Sequence, residues 1–486
     1  MIAMTLDEIA AVVGGTVHDD TGVTVNGPAF VDSRVSELDG LFVAFDGEHV
    51  DGHDYAAAAL ASGAAAVMGT RTLGLPMVLV EDPLVALGKL AQHVVGKVPN
   101  LNVIALTGSQ GKTSTKDLLA RVLSDAGTTV ATIGSFNNEL GLPLTVLRAD
   151  QDTKFLVLEM GARGIGHLAD LCQIARPDVS LVLNVGKAHI GEFGTQANIA
   201  RAKGEIVDVL TADGTAVLNA DDPLVAAMAS RTSARVRTFG ENPHADVRIE
   251  NLDVDELGRP RFDLSADGVT EHLELHLLGE HNAGNAAAAA AVAVAVGVPL
   301  EQVAQSLRAA TTESRWRMEL HVRPDGITVI NDAYNANPDS MRSALKTLAV
   351  IGRSRGAATR TVAVLGEMRE LGESSQEEHD SIGRLAVRLD INQLVVVGEP
   401  AKPMHLGAYL EGSWGEESVF VEDAEHALAW LRKNLAAGDV VLFKASRAAR
   451  LEQVVEALIA DSAADGAPRS GLVRVEGEPE LKESER

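Results

Sequence analysis

The chain has 486 residues, of which 46% are hydrophobic, and its 42 basic and 68 acidic residues give a formal net charge of −26. This length predicts two to four domains rather than one core. The acidic balance argues against broad, sequence-independent nucleic-acid binding, which needs a basic surface. The single cysteine, Cys172, excludes an intrachain disulfide. Because the N-terminus lacks a basic-then-apolar signal pattern and no apolar run is long enough for a bilayer, we expect a cytoplasmic protein without membrane insertion.

Residues 1–100 alternate short helices and strands. The sequence LDEIAAVV predicts a helix that ends at Gly14, and an apolar run at 41–45 predicts a strand. Two polar clusters stand out, DSR at 32–34 and GEHVDGH at 47–53. They are either two surface turns or parts of a small anion-binding domain in which Ser33 and Arg34 hold a phosphate.

The stretch VIALTGSQGKTSTK at 103–116 predicts a phosphate-binding loop between a buried strand and a helix. Backbone N–H groups at a helix start face an anion, and glycine lets the backbone approach it closely. Lys112 would reach the outer phosphates of a nucleotide, and the Thr113 hydroxyl would bind Mg²⁺. The alternative is an ordinary strand–turn–helix whose lysine is solvated. The loop residues expected to contact ATP are Thr107, Gly108, Ser109, Gln110, Gly111, Lys112, Thr113 and Ser114.

Residues 101–311 predict a doubly wound parallel sheet whose ligands gather beyond the strand C-termini. Glu159 and Asn184 each follow an apolar run, at the ends of FLVLE and SLVLN. Glu159 either partners a helix cap or binds Mg²⁺, which prefers oxygen ligands and phosphate. Alternating residues between 245 and 278 predict antiparallel strands, followed by an alanine-rich helix. At its start Asn282 and Asn285 lie one turn apart: Asn282 either caps the helix, or both amides read an adenine edge.

Residues 312–460 begin another strand–helix series, which we interpret as a Rossmann-like α/β unit without the GxGxxG fingerprint. NDAYNANP at 331–338 and KASR at 444–447 follow two of its strands, as capped turns or as ligand contacts. The predicted fold class is therefore α/β with three domains. We expect a small N-terminal α/β domain at 1–100, a central P-loop ATPase-type domain with an antiparallel extension at 101–311, a C-terminal domain at 312–460, and a disordered acidic tail at 461–486.

The ordered set of motifs resembles the Mur ligase family of the peptidoglycan pathway over nearly the whole chain to about residue 460. The matching stretches are DSR, GEHVDGHD, TGSQGKTSTK, SFNNELGLPLT, EMGARGIG, NVGKAHIGEFG, AKGEI, GEHNAGN, NDAYNANP, LGEMRELG and LFKASR. FNNELGLP, NDAYNANP and GEMRELG point to the branch that adds a dipeptide. The resemblance implies ATP-driven joining of D-alanyl-D-alanine to UDP-N-acetylmuramoyl-tripeptide through an acyl phosphate. It implies domains for the UDP-sugar, ATP and the incoming amino component, and we expect a monomer.

The resemblance also implies roles for individual residues. Lys112, His189 and Lys203 would be catalytic, with Lys203 as an N-carbamoylated lysine. Thr113, Glu159, His189 and the Lys203 carbamate would hold Mg²⁺. Asn282, Asn285, Arg317 and Asp332 would contact the nucleotide. The residues expected on the substrate side are Ser33, Arg34, Asp51, Gly52, His53, Asn138, Asn335 and Asn337.

The sequence departs from the family's motifs at two places, and two other functions remain alternatives. SRWRM at 314–318 stands where many family members have a glycine before the arginine, so either Arg315 or Arg317 is the nucleotide contact. Ala445 replaces the glycine common in the last motif. A folylpolyglutamate-type ligase would share the architecture but lack the polar clusters of the first domain, and an ATP-dependent switch would bind nucleotide without acceptor-dependent turnover.

Overall fold

The computed structural model describes residues 1–47, 50–187, 190–412 and 416–464, and it contains three successive α/β units, each with its own main sheet. Within these ranges no helix is both long and apolar enough to cross a membrane. The α/β fold class predicted from the sequence is confirmed.

The first unit has a five-stranded sheet in the order β2-β7-β6-β5-β4, and a two-stranded ladder of β1 and β3. Its elements are β1 (Met4–Thr5), α1 (Leu6–Val13), β2 (Thr16–His18), β3 (Thr24–Val25), β4 (Ala29–Phe30), β5 (Leu41–Val43), α2 (Ala56–Ala61), β6 (Ala66–Gly69), β7 (Met77–Leu79) and α3 (Pro83–Val95). Helix α1 begins with a capping box between Thr5 and Glu8 and ends at Gly14, whose φ of 78° suits glycine.

The central unit has a nine-stranded sheet in the order β16-β15-β14-β13-β12-β11-β8-β10-β9. Its first half contains β8 (Asn102–Thr107), α4 (Lys112–Ser124), β9 (Thr129–Ala131), α5 (Gly141–Val146), β10 (Phe155–Glu159), α6 (His167–Ile174), β11 (Val179–Val182), α7 (Ile190–Phe193), α8 (Gln196–Lys203) and α9 (Glu205–Asp208). Its second half contains β12 (Thr215–Asn219), α10 (Pro223–Ala226), β13 (Arg235–Gly240), β14 (Val247–Val254), β15 (Pro260–Ala266), β16 (Val269–Glu274), α11 (His281–Ala295) and α12 (Leu300–Arg308). Strands β14 to β16 pair antiparallel, which confirms the extension predicted from the alternating pattern.

The register of the parallel strands places three polar strand ends at one edge of the central sheet. Glu159 pairs with Leu106, and Val182 pairs with Thr107. The turn after β8, the Glu159 carboxylate and the segment after β11 therefore meet at the carboxyl ends of adjacent strands, where α/β sheets bind ligands.

The third unit has a six-stranded sheet in the order β17-β18-β22-β19-β20-β21, with β17 alone antiparallel to its neighbour. Its elements are β17 (Glu319–Val322), β18 (Thr328–Asn331), α13 (Pro338–Arg355), β19 (Thr361–Leu365), α14 (Ser375–Arg388), β20 (Gln393–Val397), α15 (Lys402–Glu411), β21 (Ser418–Val421), α16 (Ala424–Asn434), β22 (Val440–Lys444) and α17 (Leu451–Ala464).

The end of α17 corrects the predicted start of the tail. The helix continues to Ala464, past residue 460. The sequence ADSAA at 460–464 contains no Pro or Gly, so nothing in it breaks the helix, and the first glycine follows at Gly466. The rest of the predicted tail, 465–486, lies outside the described residues.

Apolar cores cover both faces of the central sheet. On one face α4, α11 and α12 pack through residues such as Leu119, Ala287 and Val303. On the other face the core continues into the first unit, so that Leu87 of α3 and Leu171 of α6 belong to the same cluster. This shared core fixes the first unit against the central one.

Candidate active site

The turn between β8 and α4 forms a tight cradle at the carboxyl end of β8, the strand between β11 and β10. Gly111 has a φ of 79°, and a Cβ there would lie 2.6 Å from Oδ1 of Asn285. Only glycine fits this position without displacing that amide. The Thr107 hydroxyl donates to the carbonyl of Met160 at 2.9 Å, which fastens the loop to the next strand.

Asn184, which the sequence placed only at a strand end, holds the loop in shape. Its Oδ1 accepts hydrogen bonds from the backbone N–H of Ser109 at 2.9 Å and of Gln110 at 3.0 Å, and its Nδ2 donates to the carbonyl of Gln110 at 3.1 Å. The loop is therefore held in place by side-chain bonds of this chain.

Lys112 folds over the cradle. Its Nζ donates to the carbonyl of Gly108 at 2.8 Å. Burial lowers the pKa of Lys112; the charge of Glu159 opposes this effect, and that of Arg317 adds to it. The loop lysine thus lies within electrostatic reach of both a carboxylate and a second cation.

The Glu159 carboxylate is 2% exposed and only half satisfied. Its Oε1 accepts from Nδ2 of Asn137 at 2.8 Å, whereas its Oε2 is buried and has no hydrogen-bond partner among the described residues. A buried carboxylate oxygen without a donor indicates a missing cation or donor. In the described part of the chain neither oxygen bonds to a helix N-terminus, so the cap interpretation of Glu159 is wrong. The sequence predicts a role for Asn138 but not for its neighbour Asn137, which makes this contact.

Lys203 ends α8 with its side chain buried. It is 4% exposed, and no hydrogen bond or ion pair of its Nζ occurs within the described ranges. Burial lowers the pKa of Lys203 well below its ordinary value, and the charge of Lys112 lowers it further. The third residue of this predicted group, His189, lies outside the described residues.

A cavity of about 210 Å³ adjoins the loop and brings the central and third units together. Asn282 and Asn285 line it from α11, within the helix rather than at its cap, because the helix begins at His281 after Glu280. The cap interpretation of Asn282 is therefore wrong. Asn285 donates to Oδ1 of Asn282 at 2.8 Å, and Asn282 donates to the carbonyl of Leu278 at 2.7 Å. Burial lowers the pKa of His281, which shares this wall.

The third unit lines the same cavity with a buried ion pair. Nζ of Lys444 donates to Oδ2 of Asp332 at 2.6 Å and to the carbonyl of Asn335 at 2.9 Å. Burial lowers the pKa of Lys444, while the Asp332 carboxylate opposes the shift. The pair ties the end of β18 to the end of β22.

Arg317, not Arg315, reaches the phosphate loop. Its Nη2 donates to the Thr113 hydroxyl at 3.4 Å, and its Nε is buried without a hydrogen-bond partner among the described residues. Arg315 is exposed. The geometry therefore favours Arg317 between the two arginines that the sequence left open.

The predicted substrate residues of the first unit are engaged with one another. The Arg34 guanidinium is paired with Asp32 at 2.6 Å and remains exposed. His53 is buried, with Nδ1 donating to Asp51 at 2.6 Å and Nε2 accepting from the backbone N–H of Thr70 at 2.9 Å. A Cβ on Gly52 would lie 2.9 Å from the backbone of Phe45. Ser33 is half-buried beside Arg34. Glu48 and His49, which belong to the 47–53 cluster, lie outside the described residues.

The remaining predicted substrate residues border the central site. Asn138 accepts from the backbone N–H of Gly141 at 2.9 Å at the start of α5. Asn337 caps α13, and its Nδ2 lies 3.5 Å from the carbonyl of Ser109 in the phosphate loop. Asn335 is exposed.

Charged side chains join the third unit to the segment after β11. Nζ of Lys187 contacts Glu378 at 2.7 Å, and its backbone N–H donates to Asp339 at 3.0 Å. Arg342 bridges Glu378 at 2.8 Å and Asp339 at 3.4 Å. Gly191 and Gly372 are in close backbone contact nearby. These contacts hold the third unit against the carboxyl ends of the central strands.

Family models match three parts of the chain. The Mur ligase family, catalytic domain, matches residues 30–94; the Mur ligase middle domain matches 106–293; and the Mur ligase, glutamate ligase domain, matches 316–447. Each match falls within one of the three units.

Relatives match over almost the full chain. The UDP-N-acetylmuramoyl-tripeptide–D-alanyl-D-alanine ligase of Mycobacterium tuberculosis is 47% identical, over 95% of this chain and 98% of the relative. A crystal structure of MurF from Acinetobacter baumannii has a TM-score of 0.82 and 30% identity, over 94% of this chain and 99% of that one. The MurF ligase of Thermotoga maritima, solved with ADP, has a TM-score of 0.75 and 30% identity, over 90% and 98%.

Proposed function

The chain belongs to the Mur ligase family, and from this premise we propose that it joins D-alanyl-D-alanine to UDP-N-acetylmuramoyl-tripeptide in an ATP-dependent reaction of peptidoglycan synthesis. The relatives that match nearly end to end are named for this reaction. Neither the folylpolyglutamate-type ligase nor the nucleotide switch accounts for that match.

The reaction needs a carboxylate to become an electrophile. In the proposed sequence the terminal carboxylate oxygen of the tripeptide attacks the γ-phosphorus of ATP, which gives an acyl phosphate and releases ADP. The amine nitrogen of D-alanyl-D-alanine then attacks the acyl carbon, loses a proton and expels phosphate, which leaves the new amide. Both steps bring anions together, so positive groups must be fixed in advance.

The phosphate loop supplies those positive groups. Lys112 exchanges its bond to the Gly108 carbonyl for the β- and γ-phosphates, and the N-terminus of α4 faces the same oxygens. Arg317, whose Nε has no hydrogen-bond partner among the described residues and whose Nη2 reaches Thr113, is suited to bind the β- and γ-phosphates. Asn282 and Asn285 bind the adenine, and Asp332 binds the ribose.

The residues beside the loop fit a magnesium ion. The test is Oε2 of Glu159, a buried carboxylate oxygen with no hydrogen-bond donor among the described residues. The charge of Glu159 acts on the pKa of Lys112, and its strand pairs with β8, which leads into the loop. Among the described residues no group of three His, Cys, Asp or Glu side chains could hold a metal. Glu159 and the Thr113 hydroxyl would therefore hold it together with phosphate oxygens. Bound there, the ion neutralises phosphate charge.

Lys203 is proposed to act as a carbamate. Lys203 is buried and has no anionic partner among the described residues, which is unfavourable for an ammonium. Addition of CO₂ to the neutral amine, with loss of a proton, would turn it into an anion beside the cations of the loop. Together with His189 it would support a second magnesium ion. Its burial at the end of α8, close enough for Lys112 to affect its pKa, supports this role.

The two organic substrates approach from opposite units. Ser33, Arg34 and the 51–53 cluster are proposed for the UDP-sugar, with Arg34 as the exposed cation and His53 as the buried support of Asp51. Asn138 is proposed for the muramoyl peptide, and Asn335 and Asn337 for the dipeptide. Residues 1–100, 101–311 and 312–460 are thus assigned to the UDP-sugar, ATP and the amino component. Because one chain supplies every side chain named here, a monomer suffices.

One observation carries the proposal: side chains of the central and third units line a single cavity beside the turn between β8 and α4. The test is ADP and phosphate release, measured with a panel of UDP-muramoyl peptides crossed with candidate amines. We expect turnover only when the tripeptide and D-alanyl-D-alanine are both present. Turnover with a folate and glutamate, or nucleotide binding without acceptor-dependent turnover, would reject the proposal.

A further inference from the structure

Four side chains are linked at the start of the third unit. Cζ of Arg447 lies 3.9 Å from the ring centroid of Trp316, and Cζ of Arg317 lies 4.3 Å from that of Tyr334. The rings of Trp316 and Tyr334 stack with their centroids 6.5 Å apart. Guanidinium groups are attracted to aromatic faces at such distances. We call these four side chains the aromatic clamp.

The backbone of the clamp is unusual. Trp316 has a φ of 57° and Met318 a φ of 52°, so left-handed residues flank Arg317 on both sides. This conformation is rare for a bulky side chain and persists only where the surroundings impose it. Here the surroundings include Tyr334, whose N–H donates to the carbonyl of Trp316 at 3.3 Å.

The clamp is anchored on two sides. The Tyr334 hydroxyl donates to Oγ of Ser135 in the central unit, two residues before Asn137. Arg447 lies in the loop after β22, next to the α17 residue Glu452, which its Nη1 approaches at 3.4 Å. The clamp therefore connects the segment that holds Glu159 with the turn after β22, an interior strand of the third sheet.

The same backbone directs Arg317 to the phosphate loop. Its Nη2 reaches the Thr113 hydroxyl, and its Nε remains buried without an acceptor among the described residues. Arg315, on the other side of Trp316, is exposed. Arg317 thus points toward the loop whereas Arg315 faces the surface. Trp316, which lies between them in sequence, is the residue that the clamp holds.

We propose that Trp316 is a positioning residue for the nucleotide: clamped between Arg447 and Tyr334, it fixes the left-handed turn that delivers Arg317 to the phosphates. This rests on the proposed function only in taking Arg317 as a nucleotide contact. Trp316 does not line the cavity, whereas its neighbour Arg317 does. Its effect is therefore expected in nucleotide affinity rather than in binding of the other substrates.

Three substitutions separate the ring from the backbone. Trp316→Phe keeps an aromatic face, Trp316→Ala removes the ring but keeps the cost of a left-handed turn, and Trp316→Gly removes both. We expect Phe to bind ADP within about threefold of the unmodified chain, and Ala and Gly both to bind about tenfold more weakly, by calorimetry. Recovery of the original affinity in Trp316→Gly would overturn the proposal, because backbone strain alone would then explain the alanine result.

The kinetic constants provide a second readout. Trp316→Ala should raise the KM for ATP about tenfold and leave the KM for the UDP-tripeptide within about twofold. An equal rise in both constants would indicate general loosening and overturn the proposal. Trp430→Ala is the matched control, since Trp430 packs at the edge of the third unit's core and no cation–π contact to it occurs in the described part of the chain. It should leave ADP affinity unchanged.

A variant outside the left-handed turn tests the same contact without the risk that a change at Trp316 misfolds the turn. Arg447→Met keeps the apolar stem and removes the guanidinium above Trp316, and it should weaken ADP binding about threefold. Unchanged binding in both Arg447→Met and Trp316→Ala would overturn the proposal. ADP binding does not require an acceptor, so a chain that fails to use D-alanyl-D-alanine would reject the proposed function and still allow this test.

Discussion

Replacing Asn137 by alanine is expected to weaken magnesium binding while leaving the phosphate loop folded. The side-chain amide is the only hydrogen-bond donor to the Glu159 carboxylate among the described residues. The backbone of Asn137 makes a separate bond, from the N–H of Gly161 to its carbonyl at 2.8 Å, which the alanine variant retains. The substitution therefore removes the orientation of the carboxylate and little else.

The size of the effect follows from the geometry. A 2.8 Å bond to a carboxylate that is 2% exposed is charge-assisted and shielded from water. Such a bond contributes about 1.5–3 kcal/mol, and loss of a partner of a metal ligand costs about 10–100-fold in metal affinity or activity. We expect the half-saturating Mg²⁺ concentration to rise within that range.

Two measurements test this. Mg²⁺ is titrated against ADP release at saturating substrates, and against nucleotide binding by calorimetry. Asn138→Ala is the matched control, because Asn138 bonds the backbone of Gly141 and makes no hydrogen bond to Glu159. Its Mg²⁺ dependence should equal that of the unmodified chain, while its affinity for the UDP-tripeptide falls.

An unchanged Mg²⁺ requirement in Asn137→Ala would refute the reasoning, since Glu159 would then not depend on its amide partner. An equal loss of nucleotide binding with and without Mg²⁺ would refute it as well, because the effect would then be on the loop and not on the metal.

The other predictions concern activation, closure and acid stability. Lys203→Ala should nearly abolish turnover while ATP still binds, and added short carboxylates should partly restore it; rates like those of the unmodified chain would remove the carbamate role. Lys187→Met breaks the pair with Glu378 and should shift the third unit away, seen as a larger radius of gyration in solution scattering without ligands; identical scattering would contradict this. Burial lowers the pKa of His379, whose neutral ring accepts the Met368 N–H at 2.9 Å. As the pH falls, His379 therefore binds a proton in the unfolded chain before it does so in the folded protein, and the free energy of unfolding should fall below about pH 6.5. His379→Asn should flatten this dependence of unfolding free energy on pH; an equal slope in the variant would exclude His379 as its source.

Local patterns in the sequence predicted the elements whose causes are local. The turn TGSQGKTS follows from glycine and a helix start, and α11 follows from an unbroken run of small apolar residues. The antiparallel extension follows from period-two alternation. The order of the motifs also predicted the α/β class and the family. Apart from the start of the tail, which α17 corrects, the domain boundaries and the roles of individual site residues stay predictions.

Which side chains meet was decided by tertiary structure. Asn137 rather than Asn138 reaches Glu159, 22 residues away, and Lys444 reaches Asp332 across 112 residues. Spacing along the chain cannot give these contacts, because strand order and the direction of each turn determine them. The sequence alone therefore determined the glycine turn between β8 and α4, the sheet around it and the family. Only the packed fold decided which amide orients the carboxylate and which arginine enters the site, since both depend on contacts between segments that the chain separates widely.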